Sequence, residues 1–371
     1  MRPPEKVLAL EKQFVRLLIV NMSQVDVGRF DFDFDTTFAV LVLNEKGQVY
    51  LRYGGRDSRS AESFVSLAAF KTALTRGLET HEKWRAGEIQ LPEAGKPKLS
   101  GSYPFVANIG NRRCVHCHDV ASGKAIELFR SPDFSPLRDI WIYPEPMSLG
   151  LDLDPDDGAR LRNAVGGAAN VGLKSGDRIV AIDGLVVHTF TDIQYRLHHL
   201  SPKAIKTRLT LEDGREVELP LHHGWRYSDI TWRRLGLRLS PSAGFGGTPL
   251  PAERKAFLGL DENGFATEVS FYDFPEPEGS PLKQGDIVFS VNGRTSSSVI
   301  DHVSLYISLA FEVGETVNLG VIRNGERIKI PLVVSEPPSS DARIMDSDAK
   351  GGRKGGGASM GKGRRRGMVD E

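Results

Sequence analysis

The stretch GLKSGDRIVAIDG, residues 172–184, returns as PLKQGDIVFSVNG at 281–293. Leu173/Leu282, Lys174/Lys283, Gly176/Gly285, Asp177/Asp286 and Gly184/Gly293 are identical in register, and Ile182/Val291 and Asp183/Asn292 are close replacements. Each copy reads as a Gly-Asp turn feeding a short β-branched strand, closed by a second turn at Asp183-Gly184 or Asn292-Gly293. A helical pattern follows each copy. In the first, Phe190, Ile193, Leu197 and Leu200 share a face; in the second, Ile300, Val303, Leu305, Tyr306 and Leu309 do. Each unit then ends in a hairpin, TRLTLEDGREVELPL at 207–221 and VNLGVIRNGERIKIPLVV at 317–334, turning at Asp213-Gly214 and Asn324-Gly325. A Leu-Gly-Leu triplet precedes each unit, at Leu149-Gly150-Leu151 and Leu235-Gly236-Leu237.

This order resembles a PDZ domain of the bacterial type, present twice, at 144–222 and 230–335. The Leu-Gly-Leu triplets resemble the family's carboxylate-binding loop, and the Leu-Lys-x-Gly-Asp turn its most recognisable element. The resemblance implies that an extended peptide adds a strand to the sheet edge while loop amides hold its terminal carboxylate. Carried over, Leu149, Gly150 and Leu151 would serve the first loop and Leu235, Gly236 and Leu237 the second. Partners would then be C-terminal or extended peptides of other proteins. The second copy carries an extra stretch at 240–264, placed to cover or reshape its groove. PDZ domains often accompany periplasmic serine proteases, but the chain holds no Gly-x-Ser-x-Gly or similar serine context.

Upstream, FAVLVLNEKGQVYLRYGG at 38–55 reads as a hairpin around Asn44-Glu45-Lys46-Gly47. Residues 5–19 read as a helix running into a strand. Phe64, Leu67, Phe70, Leu74 and Leu78 mark a helix over about 60–80. Helix, strand, hairpin and helix over residues 1–87 resemble the later part of a thioredoxin-like domain. The first strand and the Cys-x-x-Cys of that family have no counterpart in it.

Both cysteines of the chain lie in NRRCVHCHDV, as Cys114, Cys117 and the adjoining His118. Chance would place two cysteines and a histidine this way with a probability on the order of 10⁻⁴. The spacing suits c-type haem: two thiols add to the two vinyl groups of one haem, and the adjacent imidazole reaches the iron. His118 is then the iron ligand and Cys114 and Cys117 the covalent anchors. Met147 and His81 are sixth-ligand candidates by sequence distance only, beside an open or water-bound position. Zinc is the rival, but it needs four ligands and the remaining ones are not marked by spacing. A redox dithiol is a third reading, without the buried strand that precedes such sites. Residues 88–143 read as a haem-bearing insert.

The combination resembles a bacterial family of thioredoxin/PDZ (seleno)proteins with a Cys-x-x-Cys-His motif. The fold expected is multidomain α+β: a truncated thioredoxin-like α/β domain, the haem segment, two PDZ-like β-sandwich or barrel modules and a tail. The function expected is that of an exported haem protein in electron transfer or redox sensing. The alternative is a PDZ scaffold whose Cys/His motif holds zinc or nothing. No catalytic acid/base pair or phosphate loop stands out.

With 371 residues the chain has room for two to four domains. Lys+Arg and Asp+Glu are 48 each, a formal net charge of zero, which excludes a whole-chain polyanion binder. Two cysteines exclude a disulfide-stapled scaffold. The N-terminus shows no signal-peptide core, which reads as cytoplasmic, whereas attached haem reads as periplasmic. A true start upstream, in a longer reading frame, would reconcile the two. Residues 336–371 read as a disordered tail. Seven Lys/Arg, eight Gly and no acid between Lys350 and Gly367 make an anionic partner or a plain solubilising role the two readings. The pairs His198-His199 and His222-His223, and the single His188 and His302, read as surface residues. His116 is expected to face solvent.

Overall fold

The computed structural model describes residues 5–93, 95–129, 131–222, 224–228, 230, 232–233, 241–270, 280–297, 300 and 302–336. Residues 235–237 and the tail beyond 336 lie outside them. The architecture is mixed helix and sheet, with all described strand pairs antiparallel.

Helix α1 is Glu5–Glu11. Strands β1 (Val40–Leu43) and β2 (Val49–Tyr53) form the expected hairpin. Its turn is made by Asn44, whose side chain accepts the Lys46 and Gln48 amides at 3.0 and 2.9 Å, and by Gly47 at φ +77°. Helix α2 is Leu67–Arg85, packed on β2. It starts later than its apolar spacing suggests, because Ser66 is the N-cap and accepts the Ala69 amide at 3.0 Å. Phe64 is therefore outside the helix. The strand expected after α1 is absent: no strand covers residues 14–23, and Val15, Leu17 and Leu18 are more than 80% exposed. A β-prone run without a neighbouring strand leaves its amides unpaired and gains no sheet.

The Cys-x-x-Cys-His segment is helical on both sides. Helix α3 (Pro104–Gly110) packs against α4 (Cys117–Phe129), and α5 (Pro136–Asp139) follows.

The first repeat contains β3 (Leu151–Leu153), β4 (Leu161–Ala164), α6 (Gly166–Asn170), β5 (Ile179–Ile182), β6 (Leu185–Val186), α7 (Phe190–His199), β7 (Lys206–Leu211) and β8 (Glu216–Pro220). β3 pairs with β4, and the other strands run in the order β6-β5-β7-β8. The second contains β9 (Gly246–Pro249), α8 (Ala252–Phe257), β10 (Thr267–Ser270), β11 (Ile287–Val291), α9 (Val303–Ala310), β12 (Thr316–Arg323) and β13 (Glu326–Val333). Its sheet runs β13-β12-β11-β10-β9.

The repeated residues do the same work twice. Gly176 and Gly285 stand at φ +88° and +84°. Asp177 and Asp286 accept the amides of Lys174 and Lys283 at 3.0 and 2.8 Å, closing the turn. The same carboxylates take Arg215 and Arg323 from the closing hairpins at 2.6 Å. Asp183-Gly184 and Asn292-Gly293 are left-handed at both residues, as a two-residue turn between twisted strands requires. Each repeat closes over its own apolar core, one around Ile179, Ile193, Leu197 and Leu209, the other around Val288, Ile307, Leu319 and Val321.

Candidate functional site

The Cys-x-x-Cys-His loop is pinned by its neighbours. Val115 is fully buried; its amide donates to Asn21 Oδ1 at 3.0 Å and its carbonyl accepts from Met22 N–H at 2.9 Å. Arg113, just before the motif, forks onto Asp119, just after it, with two bonds of 2.8 Å. Asp119 also accepts the His116 amide at 2.8 Å. Burial would raise the Asp119 carboxyl, but Arg113 and that amide hold it below the usual range. Pinned this way, Cys114, His116 and His118 are exposed and Cys117 is half-buried at the first position of α4. Burial pushes the Cys117 thiol up, and the charge of Asp119 adds to it. A thiol held protonated is a poor redox nucleophile.

His118, Ala121, Ala125 and Leu128 follow one another at helical spacing along α4. The last three line a shallow, open cleft with internal room of only about 50 Å³. Phe32, Phe34, Ile140, Ile142, Tyr143 and His198 form its other walls, so the lining is largely apolar. Its polar edge is the Asp33–Arg233 pair, forked at 2.9 and 2.6 Å and almost wholly buried, with Asp35 at 3.2 Å from the same guanidinium. Burial, together with the neighbouring Asp33, raises the Asp35 carboxyl against the pull of Arg233 and His118. His118 is thus within electrostatic reach of the cleft rim. Burial alone would raise the Asp31 carboxyl, but His199 and Lys124 hold it well below the usual range.

The two sixth-ligand candidates are not among the residues lining this cleft. His81 Nδ1 is 2.8 Å from Tyr50 Oη, and Met147 is exposed in the 3₁₀ turn Pro146–Leu149.

Several histidines expected at the surface are built into the structure. His198 stacks on Tyr143 with ring centroids 4.3 Å apart, and its Nδ1 faces the Tyr143 amide and Arg226 Nη2 at 3.4 and 3.3 Å. Burial keeps it well below its ordinary pKa, and the nearby cations His199, Lys124 and Arg226 reinforce this. The wholly buried Arg226 clamps the end of α7 by donating to the carbonyls of Leu197, His198 and Leu200. His188 is half-buried against Thr80 at 3.0 Å and pushed down to about 4 by burial, with Arg178 and Arg76 adding to the effect. His302 Nε2 lies 3.0 Å from the Gly247 carbonyl. His199 and His222 are exposed, and His223 lies outside the described residues.

In the first repeat Leu149, Gly150 and Leu151 join the 3₁₀ turn to β3. Gly150 is left-handed at φ +81°, and a Cβ there would come within 1.9 Å of the Val165 carbonyl. Leu149 and Leu151 are buried in the core. The Gly150 amide is spent on the Met147 carbonyl at 2.9 Å. No backbone bond joins β3 to any element other than β4 among the described residues, so β3 is paired along one edge.

Register locates the counterpart in the second repeat. The Leu161 amide donates to Asp177 O and its carbonyl accepts from Gly176; Val269 does the same with Asp286 and Gly285. Leu161 pairs with Leu153 and Val269 with Gly247. Two residues upstream of these partners stand Leu151 and Phe245, each preceded by a left-handed glycine, Gly150 and Gly244 (φ +70°). Leu149 and Ala243 are equally buried, at 3% each. Ala243-Gly244-Phe245 therefore occupies the position that Leu149-Gly150-Leu151 holds in the first repeat. The triplet Leu235-Gly236-Leu237 lies outside the described residues. Local pattern alone carried the signal for 243–245, an apolar residue, a glycine and an apolar residue, inside what reads as an insertion.

No family model matches the chain. Among solved structures, it is similar to the HtrA-type protease AlgW with a decapeptide, at 17% identity and a TM-score of 0.21, over 38% of this chain and 44% of that one. A variant of AlgW with a tripeptide gives 19% identity and a TM-score of 0.23, over 35% and 42%. The chain thus spans less than half the length of these matches. No helix among the described residues is long and apolar enough to cross a membrane.

Proposed function

We propose that this chain is a c-type haem protein of electron transfer or redox sensing, with two PDZ-like modules that bind peptides. The observation that carries the haem reading is the face of α4 below the motif. His118 is followed by Ala121, Ala125 and Leu128, and the last three line a largely apolar, open cleft.

The donor set fits the group. Cys114 and Cys117 are free thiols on one short loop, and the adjoining His118 is exposed at the start of α4. Zinc is less favoured, since it needs donors converging on a point. Among the described residues no group of three or more His, Cys, Asp or Glu side chains is placed to hold a metal ion. A haem held through Cys114 and Cys117 would draw only His118 from this loop as an iron ligand. When bound, haem would supply a one-electron couple. Cys114 and Cys117 would hold it and His118 would ligate its iron. Arg113 and Asp119 fix the loop, and Phe32, Phe34 and Ile140 exclude water. Covalent attachment of haem implies a compartment outside the cytoplasm.

The test is expression with an export leader beside a cytochrome c maturation system, read by intact mass and a pyridine haemochrome spectrum. A single covalent haem, lost in the Cys114→Ser/Cys117→Ser double variant, is expected. An apo mass without a Soret band overturns the reading.

A further inference from the structure

The groove between β3 and α7 in the first repeat is covered by the chain itself. Residues 54–66 run from the end of β2 to the cap of α2, and they bond to α7 and to Glu145, just ahead of the turn that leads into β3. On the α7 side, the Gly55 amide donates to Thr191 Oγ1 at 2.7 Å and Gln194 Nε2 donates to the Arg56 carbonyl at 3.2 Å. On the loop side, the Ser58 amide and hydroxyl donate to Glu145 at 2.7 and 3.2 Å. Arg56 lies over Trp232, 4.2 Å from its ring centroid. At the far end Phe64, 4% exposed, stacks on Phe190 with centroids 3.6 Å apart and planes within 5°. Phe64 belongs to the same core as Leu149, Leu151, Leu153 and Phe190. The segment adds no strand to β3; it holds by its side chains and by bonds to α7 and Glu145.

We infer that the first groove recognises an internal, aromatic-anchored segment rather than a free C-terminus, and that residues 54–66 are its ligand in cis. The Gly150 amide, already spent on Met147, is consistent with a site that needs no carboxylate. Leu149 and Leu151, both buried, are core residues as much as pocket walls. A partner peptide of this groove would carry an aromatic residue where Phe64 meets Phe190, with serine and aspartate ahead of it, and would first have to displace the strap. The inference rests on the peptide-groove reading above.

A tethered competitor at an effective concentration of about 1–10 mM weakens an external ligand of roughly 100 μM intrinsic affinity by about 10- to 100-fold. The probe is a fluorescein-labelled peptide of residues 54–66, GGRDSRSAESFVS, titrated into the full chain by polarisation. Phe64→Ala removes the anchor. Gly55→Val crowds Thr191 Oγ1 and Phe190 Cδ1, which a Cβ would meet at 2.6 and 3.2 Å, and lifts the strap without cutting the core. Both variants should bind the probe at least 10-fold tighter than wild type, and a probe with alanine at the Phe64 position should not bind. If Phe64→Ala does not fold, Gly55→Val decides. A displayed library of random C-terminal heptapeptides separates the failures. Library binders captured equally by wild type and both variants, with no gain for the probe, sink the strap and leave the groove. No binding of either ligand to any of the three sinks the groove reading and the strap with it.

Discussion

Replacing Arg233 with Met strands one almost wholly buried carboxylate and one mostly buried one. Asp33 and Arg233 side chains are 1% and 2% exposed, Asp35 is 12% exposed, and all three meet within 3.2 Å. Met keeps much of the volume and removes the charge. Breaking a buried pair in this way costs about 3–5 kcal/mol, mostly as the penalty for the charge left behind. Solvent screening gives little relief, because neither partner of the main pair is exposed. At roughly 2–4 °C per kcal/mol for bodies of this size, the melting temperature should fall by about 6–20 °C. The pH dependence separates charge from packing. A carboxyl whose folded pKa is raised binds more protons folded than unfolded, so the deficit is largest at neutral pH and shrinks as the pH falls toward 4. Lost packing would give a deficit that pH does not change. Circular-dichroism melts at pH 7.5, 6 and 5 are the assay. A variant with Asp33→Asn and Asp35→Asn added to Arg233→Met should regain most of the loss, since charge-free replacements of buried pairs are often neutral. A deficit under about 1 kcal/mol, or one that stays constant over that pH range, would refute the reasoning.

Three other outcomes follow from single positions. His188 is pushed down to about 4 in the fold and titrates near 6.5 when unfolded, so the unfolded chain binds the extra proton between those values. Its contribution is complete above pH 6.5 and is lost as the pH falls toward 4, by about 3 kcal/mol at most; His188→Gln should flatten that limb of a stability–pH curve. Gly150→Ala meets the Val165 carbonyl at 1.9 Å on top of a φ of +81°, whereas Gly214→Ala at φ +85° meets nothing within 4 Å. Gly214→Ala should cost about 1–2 kcal/mol and Gly150→Ala clearly more, by denaturant midpoint at constant slope. Lys255, 7% exposed, donates to the carbonyls of Glu262 and Gly264 at 3.1 and 2.9 Å. Lys255→Met leaves both unpaired and should cost about 1–3 kcal/mol, read in the same melts.

What was legible in the sequence was local. The turns at Asp183-Gly184, Asn292-Gly293 and Asn324-Gly325 need left-handed backbone, and the structure holds them there. The repeated Leu-Lys-x-Gly-Asp announced two modules because the Asp does a fixed job in each turn. What was not legible depended on distant partners. Phe64 sits at helical spacing from Leu67 and Leu74, so it reads as part of α2; only the Ser66 cap signals that the helix begins after it. Val15 to Val20 reads as a strand, but a strand exists only where another pairs with it. The second loop is ambiguous because apolar-Gly-apolar occurs at both 235–237 and 243–245, and the register against β10 is what picks out the latter. The motif at 114–118 was plain, whereas the cleft beneath it draws on Phe32, Ile140 and Arg233, segments far apart in the chain.

The polar residues of α7 argue that the strap is a specific contact of the chain and not a chance packing. Thr189, Thr191, Asp192 and Gln194 are polar, yet each is at most 6% exposed. Burying such groups without partners would cost several kcal/mol in sum. Each one is answered from β2, the strap or the segment ahead of β3: Asp192 accepts the Arg52 amide at 2.9 Å, Thr189 Oγ1 donates to the Arg52 carbonyl, Thr191 takes Gly55, and Gln194 takes Arg56 and Tyr143. A helix written for a free-standing module would carry those side chains into water. The groove helix of the second repeat is written differently. In α9 the sequence VSLYISLA is mostly apolar, and Leu305, Tyr306 and Leu309 pack with Ile140 and Trp141. Its polar residues Ser304 and Ser308 bond within their own element, to His302 and to the Ser304 carbonyl. The two copies share a turn and a hairpin, and the first sets its helix against residues 52–56 through Asp192, Thr191 and Gln194.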